Sequence, residues 1–363
     1  LKLAITSDQP DATRLVQAIA QLCAAHGAHW HSELEVEVRE GSLRLLAPPG
    51  SHGELITMPA ELLVPIAGAR WAESTQQLQL LEPPPDLSAV QNELLQLHIA
   101  LYNATAKMVW WSQHHPAGLV ETSAAVAEAM ASIKPAHRRK PDERSAAEGF
   151  LATRSFGLKQ NPELDERVPV LLPLIDLLNH HHCAAPLRIR DGAMQIQAAQ
   201  ADGKECFAHY GHRRDVLDLA LHYGYCDRST PFAHSAPLEI AVDGIGCIRV
   251  EHQSRRNPRH RFDPPRVTLE ADGLRISHLC CHLEHPGRVS TMLTLALQGS
   301  LKRRGHTDQG AARLVEQGLQ AVAAANLSLL EQVRRAADAS AHPGAAILTQ
   351  AAQRQAAIIS AVI

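Results

Sequence analysis

Apolar positions change period several times along this chain, and the changes mark its elements. In DATRLVQAIAQLCAAHG, residues 11–27, Leu15, Val16, Ile19 and Leu22 recur at helical spacing between an N-terminal Asp and a terminal Gly, which predicts an amphipathic helix. In ELEVEVRE, residues 33–40, Leu34, Val36 and Val38 alternate with charged residues, the period of a half-buried strand. LRLLAP and GELITMP read as further short strands on either side of the turn-rich PPGSHG. EPPPDLSAV, residues 82–90, then punctuates the chain, and Val90, Leu94, Leu97 and Leu101 predict a helix with one apolar face.

A second helix is expected in VETSAAVAEAMASI, residues 120–133. KPAHRRKPDERS, residues 134–145, reads as an exposed loop, because two prolines and seven charges resist packing. Strand-like sequence resumes at FLATRSFGL, residues 150–158, and returns in APLEIAVDGIGCIRVE and RVTLEADGLRISHL. From Pro286 onward three stretches, 286–305, 308–340 and 343–363, carry helical periodicity.

Composition narrows the class. Hydrophobic residues make up 45% and charged residues 20% of 363 positions, the balance of an ordinary globular chain with room for more than one core. A net charge of −3 supplies no global field for nucleic acid or an anionic membrane. The basic stretches 134–145 and 253–266 lack the interleaved aromatics of a single-strand binder, which argues against nucleic acid as a partner. No apolar run approaches the ~20 residues of a membrane span. The seven cysteines are scattered without a CxxC pair, so neither a zinc cage nor a disulfide framework is indicated, and a cytoplasmic setting is expected.

Candidate chemistry lies in LLPLIDLLNHHHCAAP, residues 171–186, an apolar run broken by Asp176 and then by Asn179 and His180. Consecutive histidines alternate sides on a strand and cannot all face one ion, so no metal site is expected there, and His181 and His182 read as turn or surface residues. The second focus is CFAHYGHRRDVLDLALHYGYCD, residues 206–227. It holds three of the chain's four tyrosines, Tyr210, Tyr223 and Tyr225, with glycine after the first two. Taken alone, such tyrosines pack at a core rim and the glycines turn the chain.

Taken in order, these segments resemble the SET-domain protein methyltransferases, in the branch that includes the RuBisCO large-subunit lysine methyltransferase. IDLLNHH matches an Asp-x-x-Asn-His strand end through Asp176, Asn179 and His180. Tyr210-Gly211 matches a Tyr-Gly that follows a strand, and Tyr223-Gly224-Tyr225 matches the element carrying the catalytic tyrosine. ATRSFGL is similar to a Ser-Arg-x-Phe segment through Arg154 and Phe156, and VREGSLRLLAPPGSHGELITMP to the N-terminal segment with Glu40 and Ser42.

The resemblance implies an α+β fold. It would combine short SET-type β-sheets with a threaded (pseudoknot) segment, a helical insert and a mostly α-helical C-terminal domain. The implied division is 1–85 for the N-terminal part of the SET domain, 86–149 for the insert, 150–235 for the part with the cofactor and catalytic motifs, and 236–363 for a substrate-recognition domain. It further implies S-adenosylmethionine as cofactor, held by Asn179, His180, Arg154, Asp176, Glu40 and Ser42, with Tyr223 and Tyr210 catalytic. The implied reaction is methyl transfer to a lysine of a protein substrate. Such chemistry is an in-line displacement governed by alignment, where orientation is worth roughly 7–11 kcal/mol of barrier. The alternative is a SET-shaped protein-binding module without turnover.

Overall fold

The protein is described from a computed structural model, which covers residues 3–51, 53–72, 76–135, 145–159, 167–200, 203–211, 214–251, 265–284 and 286–363, the last span without the side chains of 286–290. The fold is α+β, with short sheets and ten helices among these residues. The chain divides into two compact units: residues 1–113 with 143–211, and residues 114–142 with 212–363. The expected helical insert, 86–149, therefore contributes to both. None of the helices is long and apolar enough to cross a membrane.

In the first unit the helix Pro10–Ala25 buries Val16 and Ile19 as its periodicity predicts, and Cys23 besides, while Leu15 and Leu22 are only partly covered. The strands Glu35–Arg39 and Ser42–Leu46 form an antiparallel hairpin, with Ala4–Ser7 parallel to the first. Val36, Val38, Leu43 and Leu45 alternate into the core. The hairpin turns on Glu40 (φ +51°) and Gly41 (φ +72°). A side chain at position 41 would meet the Thr105 carbonyl at 2.7 Å, so glycine is required there by close approach as well as by φ.

The helix Ala89–Ala104 begins with a capping box between Ser88 and Gln91. Its buried face is Leu94, Leu95, His98, Leu101 and Tyr102, while Val90 and Leu97 are only partly covered. Two polar-tipped residues thus occupy the face expected to be purely aliphatic. A second difference lies at Phe150, expected in a strand. Ser145 and Glu148 form another capping box, and Ala146–Ala152 is helical, so the strand begins only at Ser155.

In the second unit a four-stranded sheet, ordered Leu238–Val242, Gly246–Val250, Gly273–Ile276 and Val267–Leu269, occupies the two stretches expected to be strands. The helices Pro286–Arg303, Asp308–Asp338 and Ala345–Val362 match the three C-terminal helical patterns. Lys134 is a correction to the loop expectation. It is buried, because Asp215 and Asp218 receive its ammonium at 2.8 and 3.0 Å. Residues 136–144 of that stretch, and 253–264 of the other basic stretch, lie outside the described residues.

Candidate functional site

Three segments distant in sequence converge in the first unit. Asn179–His180 is a two-residue strand paired in parallel with Phe207–Ala208, so the Asn-His segment and the strand leading to the first Tyr-Gly lie side by side. Glu205 and Cys206 also join the end of the N-terminal hairpin, where Cys206 N–H donates to the Leu45 carbonyl at 2.8 Å. The Asn179 side-chain amide donates to Glu205 at 2.7 Å, and Glu205 faces Arg44 of the hairpin at 3.9 Å.

Tyr210 closes over His180. Its backbone N–H donates to His180 Nδ1 at 3.0 Å, its hydroxyl donates to the Leu178 carbonyl at 2.6 Å, and the rings lie 5.3 Å apart. Because Nδ1 accepts, the neutral imidazole carries its proton on Nε2. Gly211 follows with φ +136°, a conformation that L side chains rarely adopt.

The Asn-His strand is launched by a strained turn. Leu174, a branched and buried residue, has φ +60° and ψ −35° ahead of the 3-10 turn Ile175–Leu177. Such a conformation costs on the order of 1–3 kcal/mol and persists only where surrounding contacts fix it. Those contacts centre on Asp176. Its side chain points inward, where the Tyr102 hydroxyl donates to one carboxylate oxygen. Burial, and then the Asp176 charge, push the Tyr102 phenol well above its ordinary range. The other carboxylate oxygen faces His98 Nε2 at 3.9 Å, beyond hydrogen-bond length, while His98 Nδ1 lies 2.7 Å from the Leu94 carbonyl.

Arg154 approaches the same turn from the other side. One guanidinium nitrogen reaches the Asp176 carbonyl at 3.4 Å, and the guanidinium lies 5.6 Å from the Phe150 ring centroid. Its Nε is buried and has no hydrogen-bond partner among the described residues. Lys107 adds to the positive potential: burial, then Arg154 and Arg44, bring its ammonium down to about 8. The unpartnered Arg154 nitrogen and the lysine whose charge is disfavoured make this part of the unit electropositive. Glu40 and Ser42 lie at the hairpin turn, where the Glu40 N–H donates to Asp8. Phe156 sits on the strand Ser155–Leu158 and packs on the core.

Tyr223 and Tyr225 belong to the second unit. Tyr223 ends the helix Val216–Tyr223, and Gly224 (φ +79°) caps it in the left-handed conformation. Arg214 donates to the Tyr223 hydroxyl and lies over its ring. Burial raises the Tyr223 phenol, and Arg214 partly offsets that rise. Asp215 anchors the start of this helix: it caps Asp218 N–H and also accepts from Lys134, Gln355 and the His234 N–H.

Sequence reasoning missed Tyr102, His98, Lys107, Glu205 and Arg214. One signal was available: Tyr102 is the tyrosine outside the cluster, on a helical face otherwise read as aliphatic. His182 lies in the turn that follows the Asn-His strand, as expected, and both it and His181 are half-buried.

No known family profile and no curated protein matches the chain. Among solved structures, it is similar to the SET domain of LSMT bound to lysine and AdoHcy, at 13% identity over 97% of this chain and 91% of that one, with a TM-score of 0.42. It is also similar to Rubisco LSMT bound to AdoMet, at 13% identity over 96% and 90% of the two chains, with a TM-score of 0.43.

Proposed function

We propose that this chain is a SET-type protein methyltransferase that uses S-adenosylmethionine to methylate a lysine side chain of a protein. The supporting observation is the parallel pairing of Asn179–His180 with Phe207–Ala208, which sets Tyr210 on His180, while Arg154 reaches the Asp176 carbonyl in the turn that leads into Asn179.

In this reading Asn179 and His180 present the edge of their short strand to the cofactor, and Arg154 receives the carboxylate, with Lys107 adding to the positive potential. Glu40 and Ser42 stand at the hairpin turn as the remaining cofactor contacts. The cofactor supplies an electrophilic methyl group on a sulfonium. The chain's own contribution is alignment and a dry surrounding for the incoming amine, whose neutral, nucleophilic form is favoured by desolvation. Tyr210 is held by its bond to Leu178, so its ring is a fixed wall for the lysine stem. Tyr223 is the tyrosine that orients the transferring group.

The test is transfer of labelled methyl from S-adenosylmethionine into a pool of cell proteins by the wild type and by Tyr223→Phe. Incorporation into lysine that falls about 100-fold or more in the variant, with its fold intact by circular dichroism, supports the reading. Equal incorporation by both proteins would remove Tyr223 from the reaction. Absence of transfer by the wild type would favour the non-catalytic module.

A further inference from the structure

We infer that Tyr102 of the helix Ala89–Ala104 is a positioning residue for the Asn179–His180 strand, and that Asp176 transmits its hold rather than touching a ligand. The inference rests on the proposed cofactor site.

Asp176 lies in the turn that directs the chain into Asn179, three residues on. Its carboxylate is almost wholly buried, with side-chain exposure of 1%, and its only hydrogen-bond donor among the described side chains is the Tyr102 hydroxyl. The Tyr102 ring cannot follow if the turn moves. It is fully buried and meets Phe150 edge-to-face, with centroids 5.2 Å apart. Phe150 in turn lies beneath Arg154, whose guanidinium reaches the Asp176 carbonyl. Both the side chain and the backbone of Asp176 are therefore gripped by side chains from elsewhere in the unit.

The grip counters a specific tendency. Leu174 holds a positive φ two residues earlier, and relaxation there would rotate the peptide planes that lead to Asn179. His98 supplies the back wall. Its Nε2 and Asp176 Oδ1 are both buried, lie 3.9 Å apart and both lack a hydrogen bond among the described residues, so a donor on this side would bond to Nε2 once that gap closes. An amide at position 176 keeps the oxygen that accepts from Tyr102, and a small closure of the gap lets its nitrogen donate to His98 Nε2.

The two roles for Asp176 give opposite mutational patterns. If Asp176 is an anchor, Tyr102→Phe weakens S-adenosylhomocysteine binding about tenfold by leaving a buried acceptor unpaired, whereas Asp176→Asn stays within about twofold of wild type. If Asp176 is a charged ligand contact, Asp176→Asn loses binding and Tyr102→Phe does not, and the inference is overturned. Calorimetric titration below each variant's melting transition separates affinity from stability. The side-chain amide resonances of Asn179 provide a readout without ligand. They are expected to shift in Tyr102→Phe and hold in Asp176→Asn, and unmoved Asn179 signals in Tyr102→Phe would contradict the positioning role. Should the wild type bind no S-adenosylhomocysteine, the cofactor reading fails, while the Asn179 resonances still decide whether Tyr102 positions that strand.

Discussion

Arg214 donates to the hydroxyl oxygen of Tyr223 while its guanidinium carbon lies 4.8 Å from the centre of the same ring. One cation thus engages both the face and the tip of the phenol. The contact fixes the ring and occupies a hydroxyl lone pair, leaving the O–H proton to point elsewhere. Arg214 immediately precedes the helix cap Asp215, so the network that starts the helix Val216–Tyr223 also places the group that orients its last residue.

The tyrosine titration should report this pair. Burial raises the Tyr223 phenol and Arg214 lowers it, so Arg214→Met is expected to move its titration further upward. Ultraviolet absorbance, with Tyr223→Phe subtracted to isolate the residue, measures the midpoint. A downward or absent shift would contradict the contact.

Lys107 predicts a pH-dependent contribution of defined sign. Its ammonium is lowered from 10.5 to about 8, so between those values the folded state binds fewer protons than the unfolded. The contribution to stability is present above pH 10.5 and is lost as pH falls through about 8. Lys107→Met should remove this slope, gaining on the wild type more at about pH 7 than at about pH 10.5 in urea titrations. Binding of a carboxylate ligand near pH 8 should draw in a proton, visible as a buffer-dependent binding enthalpy.

The Lys134–Asp215 pair tests the interior of the second unit. Burial disfavours the Lys134 charge, but the attraction and hydrogen bonds of Asp215 and Asp218 outweigh that and hold the ammonium above its ordinary range. Lys134→Met strands a fully buried carboxylate and should cost about 3–5 kcal/mol in urea unfolding. A single-variant cost below about 1 kcal/mol would show that the pair is not what anchors the helix.

Gly41 makes the hairpin turn a sensitive point. Gly41→Ala places a methyl 2.7 Å from the Thr105 carbonyl at φ +72° and should destabilise by about 1–3 kcal/mol. Thermal unfolding checks it, and an unchanged melting temperature would mean that the turn relaxes freely.

The legible part of this protein is its periodicity and its motif order. Alternation at Leu34, Val36 and Val38 marks the hairpin strand, and the three C-terminal helices follow from their apolar spacing. The adjacency of Asn179–His180 to the segment before Tyr210 agrees with the order of the motifs. What stays hidden depends on partners remote in sequence. Lys134 looks like part of a solvated charge run until Asp215, 81 residues away, receives it. Tyr102 looks like a core aromatic until Asp176, 74 residues away, appears opposite its hydroxyl. Phe150 departs from its expected strand for a local reason: the capping box of Ser145 and Glu148 outweighs the strand-like look of the residues that follow.

The most direct test of the cofactor site is calorimetric titration of the full chain with S-adenosylhomocysteine, beside Arg154→Ala. The account predicts saturable binding at one site in the wild type and a loss of at least about tenfold in the variant, which lacks the guanidinium proposed to receive the cofactor's carboxylate. Equal binding by both proteins, or no heat from the folded wild type at millimolar ligand, would contradict it.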